Sequence, residues 1–217
     1  TMLGIIIGVA AVIALVSIGN GVKQDIQNSI SSLGSNLLMV MPGAPRTPGV
    51  RPSPGSMKSL KVADYEAIAK LDGVKAASPM TNGGYVVIYQ NKNWTTSVSG
   101  VNANYLDVNN WTMKSGRFLS EKNVQNRERV AVVGKTVVKN LFGDEDPVGK
   151  EIRVKNIPFR IIGVLNSKGS GAMGNDQDDM VIIPYTTAME RVDGIDYLRM
   201  IYVVGKDENG IDRLQSD

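Results

Sequence analysis

Residues 2–18 hold no charged side chain, and only Gly4, Gly8 and Ser17 interrupt an otherwise apolar run. As a helix rising about 1.5 Å per residue this run would span roughly 26 Å, close to the hydrocarbon core of about 30 Å. The pattern predicts a membrane helix over residues 1–19, against the competing reading of a buried helix in a soluble protein. Gly4 and Gly8 stand at the spacing that lets two helices approach closely. Past residue 19 the apolar positions thin to one stripe. Val22, Ile26, Ile30 and Leu33 recur at helical spacing, with Lys23, Gln24, Asp25, Gln27 and Asn28 between them. That predicts an amphipathic stalk helix over residues 20–35, whose four apolar residues form its packing face.

The period then changes. Residues 36–41 read as a strand, and residues 42–56 carry five prolines and no acidic residue. The prolines remove backbone donors, so this stretch predicts an exposed loop. Val62, Tyr65, Ile68, Ala69 and Leu71 mark one face of a short helix that Gly73 stops, and residues 74–79 follow as a strand. Together they make a split β-α-β unit. Residues 85–90 and 94–101, joined by a polar turn, predict a hairpin. Further on, strands are expected at 129–133, 151–154, 159–165 and 180–183, with helices at 135–142 and 186–192. Residues 197–205 close the series as a strand, and a further helix begins near Asn209.

A run of alternating elements set into a split α/β unit predicts an α+β protein of two lobes. The first, porter-like lobe takes residues 36–99 and 186–217, and a smaller inserted α/β lobe takes residues 100–185. The order of the strands is not readable from the pattern.

Composition narrows the chemistry. The chain has 217 residues with neither cysteine nor histidine, which removes thiolate catalysis, disulfides, the commonest general base and the commonest metal ligands. Its 24 basic and 21 acidic residues leave a formal net charge of +3, spread along the chain, so nucleic acid is excluded as an expected partner.

Three motifs invite a chemical reading. Gly134-Lys135-Thr136 ends like a phosphate-binding loop, but Arg129 stands where the first glycine of that loop is required, inside a predicted strand. The triplet reads better as a strand-to-helix corner, with Val137, Val138, Leu141 and Phe142 on its buried face. The acidic group Asp144, Glu145, Asp146 has Val148 and Lys155 at the fifth and twelfth positions, where a calcium loop needs oxygen ligands, and the group Asp176, Asp178, Asp179 has Met180 and Val181 at the fifth and sixth, which leaves both as turn and cap residues. The glycine-rich stretch Lys168, Gly169, Ser170, Gly171, Ala172, Met173, Gly174 opens no helix and is no dinucleotide fingerprint. It is expected as a flexible, exposed loop. No catalytic residue, cofactor or metal site is predicted.

Two long stretches carry a family resemblance. LGIIIGVAAVIALVSIGNGVKQDI with LGSNLLMV, within residues 3–40, resembles the first membrane helix and stalk of MacB-type ABC transporter permeases. RVAVVGKTVVKNLFGDEDPVGKEIRVKNIPFRIIGVL, residues 129–165, is similar to the core of their extracytoplasmic domain, as are Gly116-Arg117-Phe118 and QDDMVIIPYTTA at 177–188. Where such proteins often cap the first periplasmic helix with Ser or Thr, this chain has Lys61, so Ser59 is the expected substitute. The resemblance implies a non-catalytic extracytoplasmic domain of a permease in the inner membrane. It implies two copies facing each other in a homodimer, an ATP-binding subunit or domain in the cytoplasm, and, in Gram-negative cells, a periplasmic adaptor and an outer-membrane channel. It further implies mechanical coupling along the stalk face of Val22, Ile26, Ile30 and Leu33, with loop tips such as residues 168–174 meeting partners. A permease for lipoprotein release or cell-wall hydrolase control, and a singly anchored binding or sensor module, stand as alternatives.

Overall fold

The computed structural model describes residues 37–43, 58–171 and 174–206. The expected membrane helix, the stalk with Val22, Ile26, Ile30 and Leu33, most of the proline-rich loop and the helix after Asn209 lie outside these residues. Among the described residues no helix is long and apolar enough to cross a membrane.

The described chain is α+β. Its strands are β1 (Leu37–Val40), β2 (Val74–Tyr89), β3 (Lys92–Val101), β4 (Met113–Gly116), β5 (Val130–Val133), β6 (Glu151–Val154), β7 (Ile157–Leu165), β8 (Met180–Pro184) and β9 (Met200–Gly205). Its short helices are α1 (Val62–Ile68), α2 (Tyr105–Val108), α3 (Glu121–Gln125), α4 (Lys135–Leu141) and α5 (Tyr185–Thr187), the last running into a wide π-type turn over Ala188–Asp193 that ends on left-handed Gly194.

Six strands close on themselves in the order β2-β3-β8-β5-β7-β6 and back to β2. The β3–β8 and β5–β7 pairs are parallel and the remaining contacts antiparallel. The alternation expected of a barrel wall is plain in β6, where Ile152 and Val154 are fully buried and Glu151 and Arg153 exposed. Inward-facing Val87, Val98, Ala131, Val133, Phe159, Ile161, Val181 and Ile183 join them in one core, which Val137 and Leu141 of α4 complete. Burying each such side chain contributes about 1.5–3 kcal/mol before ordering costs.

The outward face of β5, β7 and β8 is apolar as well. Val130, Val132, Ile162, Leu165 and Ile182 pack there under Tyr105, Trp111 and Leu119. A second sheet, β1-β9-β2, is covered on one face by α1, with Leu38, Val40, Ile201 and Val203 against Val62, Tyr65 and Ile68.

β2 belongs to both sheets. Its first half, up to Met80, pairs with β9, and its second half, from Thr81, pairs with β3. The pattern of the sequence predicts two strands here, parted near Gly83-Gly84. The strand instead runs through, because Gly83 leaves room for the ring of Tyr85, which a Cβ would approach to 2.7 Å. The hairpin expected in the first lobe thereby forms barrel wall: β3 pairs with β8, joining residues on either side of the predicted boundary at 99/100.

The start of α1 also differs from expectation. Ser59 is not its cap. The chain enters the helix at Lys61, whose backbone N–H donates to the Asp64 carboxylate at 2.7 Å, so one orphan donor of the first turn is satisfied from within.

Candidate partner-facing loop and adjoining cleft

Residues 166–179 connect β7 to β8 and contain the glycine-rich loop. Of its seven residues, Lys168, Gly169, Ser170, Gly171 and Gly174 are described, and Ala172 and Met173 lie outside the described residues. The organiser of this loop is Asp178, only 4% exposed. Its carboxylate accepts from the Ser167 hydroxyl, from Lys168 N at 2.7 Å and from Gly169 N at 3.2 Å. A buried carboxylate is tolerated only with such donors around it, so Asp178 fixes the base of the loop in one geometry. Asp176 ties the other side. It accepts from Asp178 N at 2.8 Å and from the Thr136 hydroxyl at 2.6 Å, holding the loop against the start of α4.

Lys168 turns inward. Its ammonium donates to Asn109 O at 2.6 Å and sits 4.7 Å from the centroid of the Trp111 ring, and burial pushes its pKa down from the ordinary lysine value. Beside it opens a cleft of about 310 Å³ between the two sheets. Tyr105, Trp111, Tyr202, Met80 and Met180 line it, with Ser97 and Ser99 from β3. Tyr105 and Tyr202 meet edge to face at 6.2 Å between centroids, and burial raises the pKa of both phenols. Reading the sequence alone misses this cleft, since its walls come from β2, β3, β8, β9 and the segments around α2. The only local signal was the aromatic Trp111 in a polar stretch.

The Gly134-Lys135-Thr136 corner has a structural explanation. Gly134 N donates to Met180 O at 2.9 Å, and a Cβ on Gly134 would stand 2.2 Å from Asp178 O. Close backbone approach, rather than a phosphate, is what the glycine serves. Helix α4 buries Val137 and Leu141, and Phe142 stacks on Tyr89 at 4.1 Å between centroids. The acidic turn that follows is equally occupied. Asp146 accepts from Val148 N at 3.0 Å, Glu145 pairs with Lys150, and Gly149 takes a left-handed φ of 88°. Among the described residues no group of His, Cys, Asp and Glu is arranged to hold a metal ion.

These features define an α+β domain whose Gly134 corner serves backbone packing and whose Asp176 and Asp178 carboxylates shape a loop. A barrel is fused through one long strand to a smaller sheet, and comparison with known proteins assigns this architecture to a family. The MacB-like periplasmic core domain model matches residues 1–217, so the chain belongs to that family and is the periplasmic domain of a MacB-type ABC permease. It is 44% identical over 218 residues to the macrolide export ATP-binding/permease protein MacB of Rhodospirillum rubrum, covering 100% of this chain and 33% of that protein. The MacB of Marinobacter nauticus is 39% identical over 216 residues, with coverage of 100% and 33%. The chain therefore spans about a third of the curated relatives it matches. The crystal structure of the periplasmic region of MacB from Actinobacillus actinomycetemcomitans superposes with a TM-score of 0.71 at 26% identity, covering 86% of each chain. The extracellular domain of the transporter YknZ, from Gram-positive bacteria, shares the fold at a TM-score of 0.68 and 18% identity, over 82% of this chain and 88% of that one.

Proposed function

We propose that this domain transmits motion from the membrane to the periplasm in a dimeric ABC exporter, coupling ATP hydrolysis in a cytoplasmic subunit or domain to extrusion of substrate. The observation that carries the reading is the pairing of the first and last described strands. β1, which follows the predicted stalk, and β9 are neighbours in one sheet with Leu37 opposite Val204. A displacement of either strand is felt by both, and β2, the third strand of that sheet, continues unbroken into the barrel wall. Coupling of this kind needs packed elements that move as bodies, and a shared strand supplies one.

In this reading residues 1–19 anchor the chain in the membrane, and Val22, Ile26, Ile30 and Leu33 pack the stalk between two copies. The porter-like lobe of residues 36–99 and 186–217 and the inserted lobe of residues 100–185 move together in this reading, since the barrel takes strands from both. The glycine-rich tip at residues 168–174, on its rigid Asp178 base, meets a periplasmic adaptor or the other copy, and an outer-membrane channel completes the path. The names of the relatives point to macrolides as cargo of the whole transporter.

The test is a charge on the stalk face. In the full transporter, Ile26→Asp with Ile30→Asp should leave basal ATPase in place and abolish its stimulation by substrate. Unchanged stimulation and unchanged macrolide resistance would refute the stalk role. A pull-down of the transporter against candidate adaptors, with Gly171→Trp at the loop, checks the docking assignment separately.

A further inference from the structure

We infer that the cleft beside Lys168 is a binding site for a small aromatic or otherwise planar molecule carrying one carboxylate-like anionic group. The inference does not depend on the exporter reading. Three independent observations support it.

The first is an ammonium without a counter-ion. Lys168 is drawn in among Trp111 and the Asn109 carbonyl, and among the described residues no carboxylate comes within 4.0 Å of it. A half-buried cation with a single neutral acceptor keeps donors to spare, and an anion satisfies them best. Two other charged groups face the cleft, Asp176 and Asp179, and both are already engaged. Asp179 accepts from Trp94 Nε1 at 2.8 Å, and Asp176 from Thr136 and from Asp178 N.

The second is unspent hydrogen-bonding capacity on the lining. Ser99 is 1% exposed and its hydroxyl has no partner, and among the described residues neither Tyr105 nor Tyr202 has a hydrogen bond from its phenol oxygen. A buried hydroxyl without a partner, the state of Ser99 and, away from the cleft, of Thr81 and Thr96, is uncommon in folded proteins and points to a missing partner.

The third is the shape and softness of the walls. Tyr105 and Tyr202 offer ring surfaces, and Met80 and Met180 supply adaptable thioethers of the kind that accept varied apolar bodies. At about 310 Å³ the cleft stands at the lower end of small-molecule sites. It suits a two-ring acid and is too small to enclose a macrolide, so this site is separate from any path for such cargo.

The absence of native cysteine makes the test clean. Ser97→Cys places a thiol in the cleft, and Lys92→Cys, at the exposed start of β3, serves as the control. The full chain, held in lipid nanodiscs, is alkylated with a small maleimide in the presence of 2-naphthoate or of 2-naphthylmethylammonium. The expected result is saturable protection of the Ser97→Cys variant by the acid, none by the amine, and none of the Lys92→Cys variant by either. Adding Lys168→Met should weaken protection about 10-fold or more, the ordinary loss of a charge-assisted hydrogen bond, while Lys168→Arg retains it. Tyr202→Phe, which preserves shape, should weaken it severalfold, and it keeps the test open if Lys168→Met does not fold. No protection, equal protection by the amine, or protection indifferent to both Lys168→Met and Tyr202→Phe would overturn the inference.

Discussion

Leu37, the first residue of β1, lies opposite Val204, near the end of β9, so the first and last strands of the described chain meet in one antiparallel pair. Between them and the barrel stands β2, whose residues Ala76 to Met80 bond to β9 and whose residues Thr81 to Tyr89 bond to β3. This one strand is therefore the covalent and hydrogen-bonded link between the small sheet and the barrel.

Asp178 predicts a measurable loss. Replacing it by Ala leaves the Ser167 hydroxyl and two backbone N–H groups of the loop without their acceptor. Asp178→Ala should cost about 3 kcal/mol in urea unfolding, and proteolysis should cut first near residue 170. Stability equal to the parent would mean that the loop base is not organised by this carboxylate.

The Gly134 corner tests the architectural reading of Gly134-Lys135-Thr136. Gly134→Ala drives a methyl into the Asp178 carbonyl and should destabilise by about 2 kcal/mol or more, whereas Thr136→Val, losing one exposed hydroxyl contact, should cost about 1 kcal/mol or less. Calorimetric melting of both variants makes the comparison. No binding of ATP should be detectable in the parent chain by equilibrium dialysis.

Barrel packing gives the largest expected effect. Phe159 is fully buried between opposite walls, and Phe159→Ala should cost roughly 3–5 kcal/mol, while Val86→Ala, at a position 49% exposed, should change little. Denaturant midpoints measured at equal slope decide it.

Alkaline pH should weaken the fold through its tyrosines. Tyr85 donates to Asp193, and burial together with that carboxylate pushes its pKa up to about 12, while burial raises that of Tyr105. A folded-state value above the unfolded value of about 10 means that the unfolded chain ionises first. Stability is then fully present below about pH 10 and falls between about pH 10 and pH 12. Melting curves across that window should show the fall, and Tyr85→Phe should reduce its slope.

How much of this was legible depends on whether the signal was local. The corner at Gly134, the apolar face of Val137 and Leu141, and the strand at β6 were all visible, because each is fixed by neighbours in sequence. The capped helix α3 was also encoded, with Ser120 and Asn123 three apart satisfying each other's orphan donors. This Ser-x-x-Asn signal is a weak one in sequence, because Asn replaces the usual Glu or Gln. Barrel closure was beyond reach, since the contact of Val87 with Val154 joins residues far apart and leaves no periodic trace. The cleft shares that origin: Lys168 reads as part of a flexible loop until Trp111 and Asn109 are folded beside it.

The central claim is that motion reaches the barrel from the membrane. It is tested most directly by spin labels at Lys92→Cys, at the exposed start of β3, in both copies of the full transporter, with label-to-label distances measured by pulsed electron resonance. The account predicts that the distance distribution shifts between the nucleotide-free and ATP-trapped states, and that Ile26→Asp with Ile30→Asp abolishes the shift. An identical distribution in both states of an active transporter would contradict it.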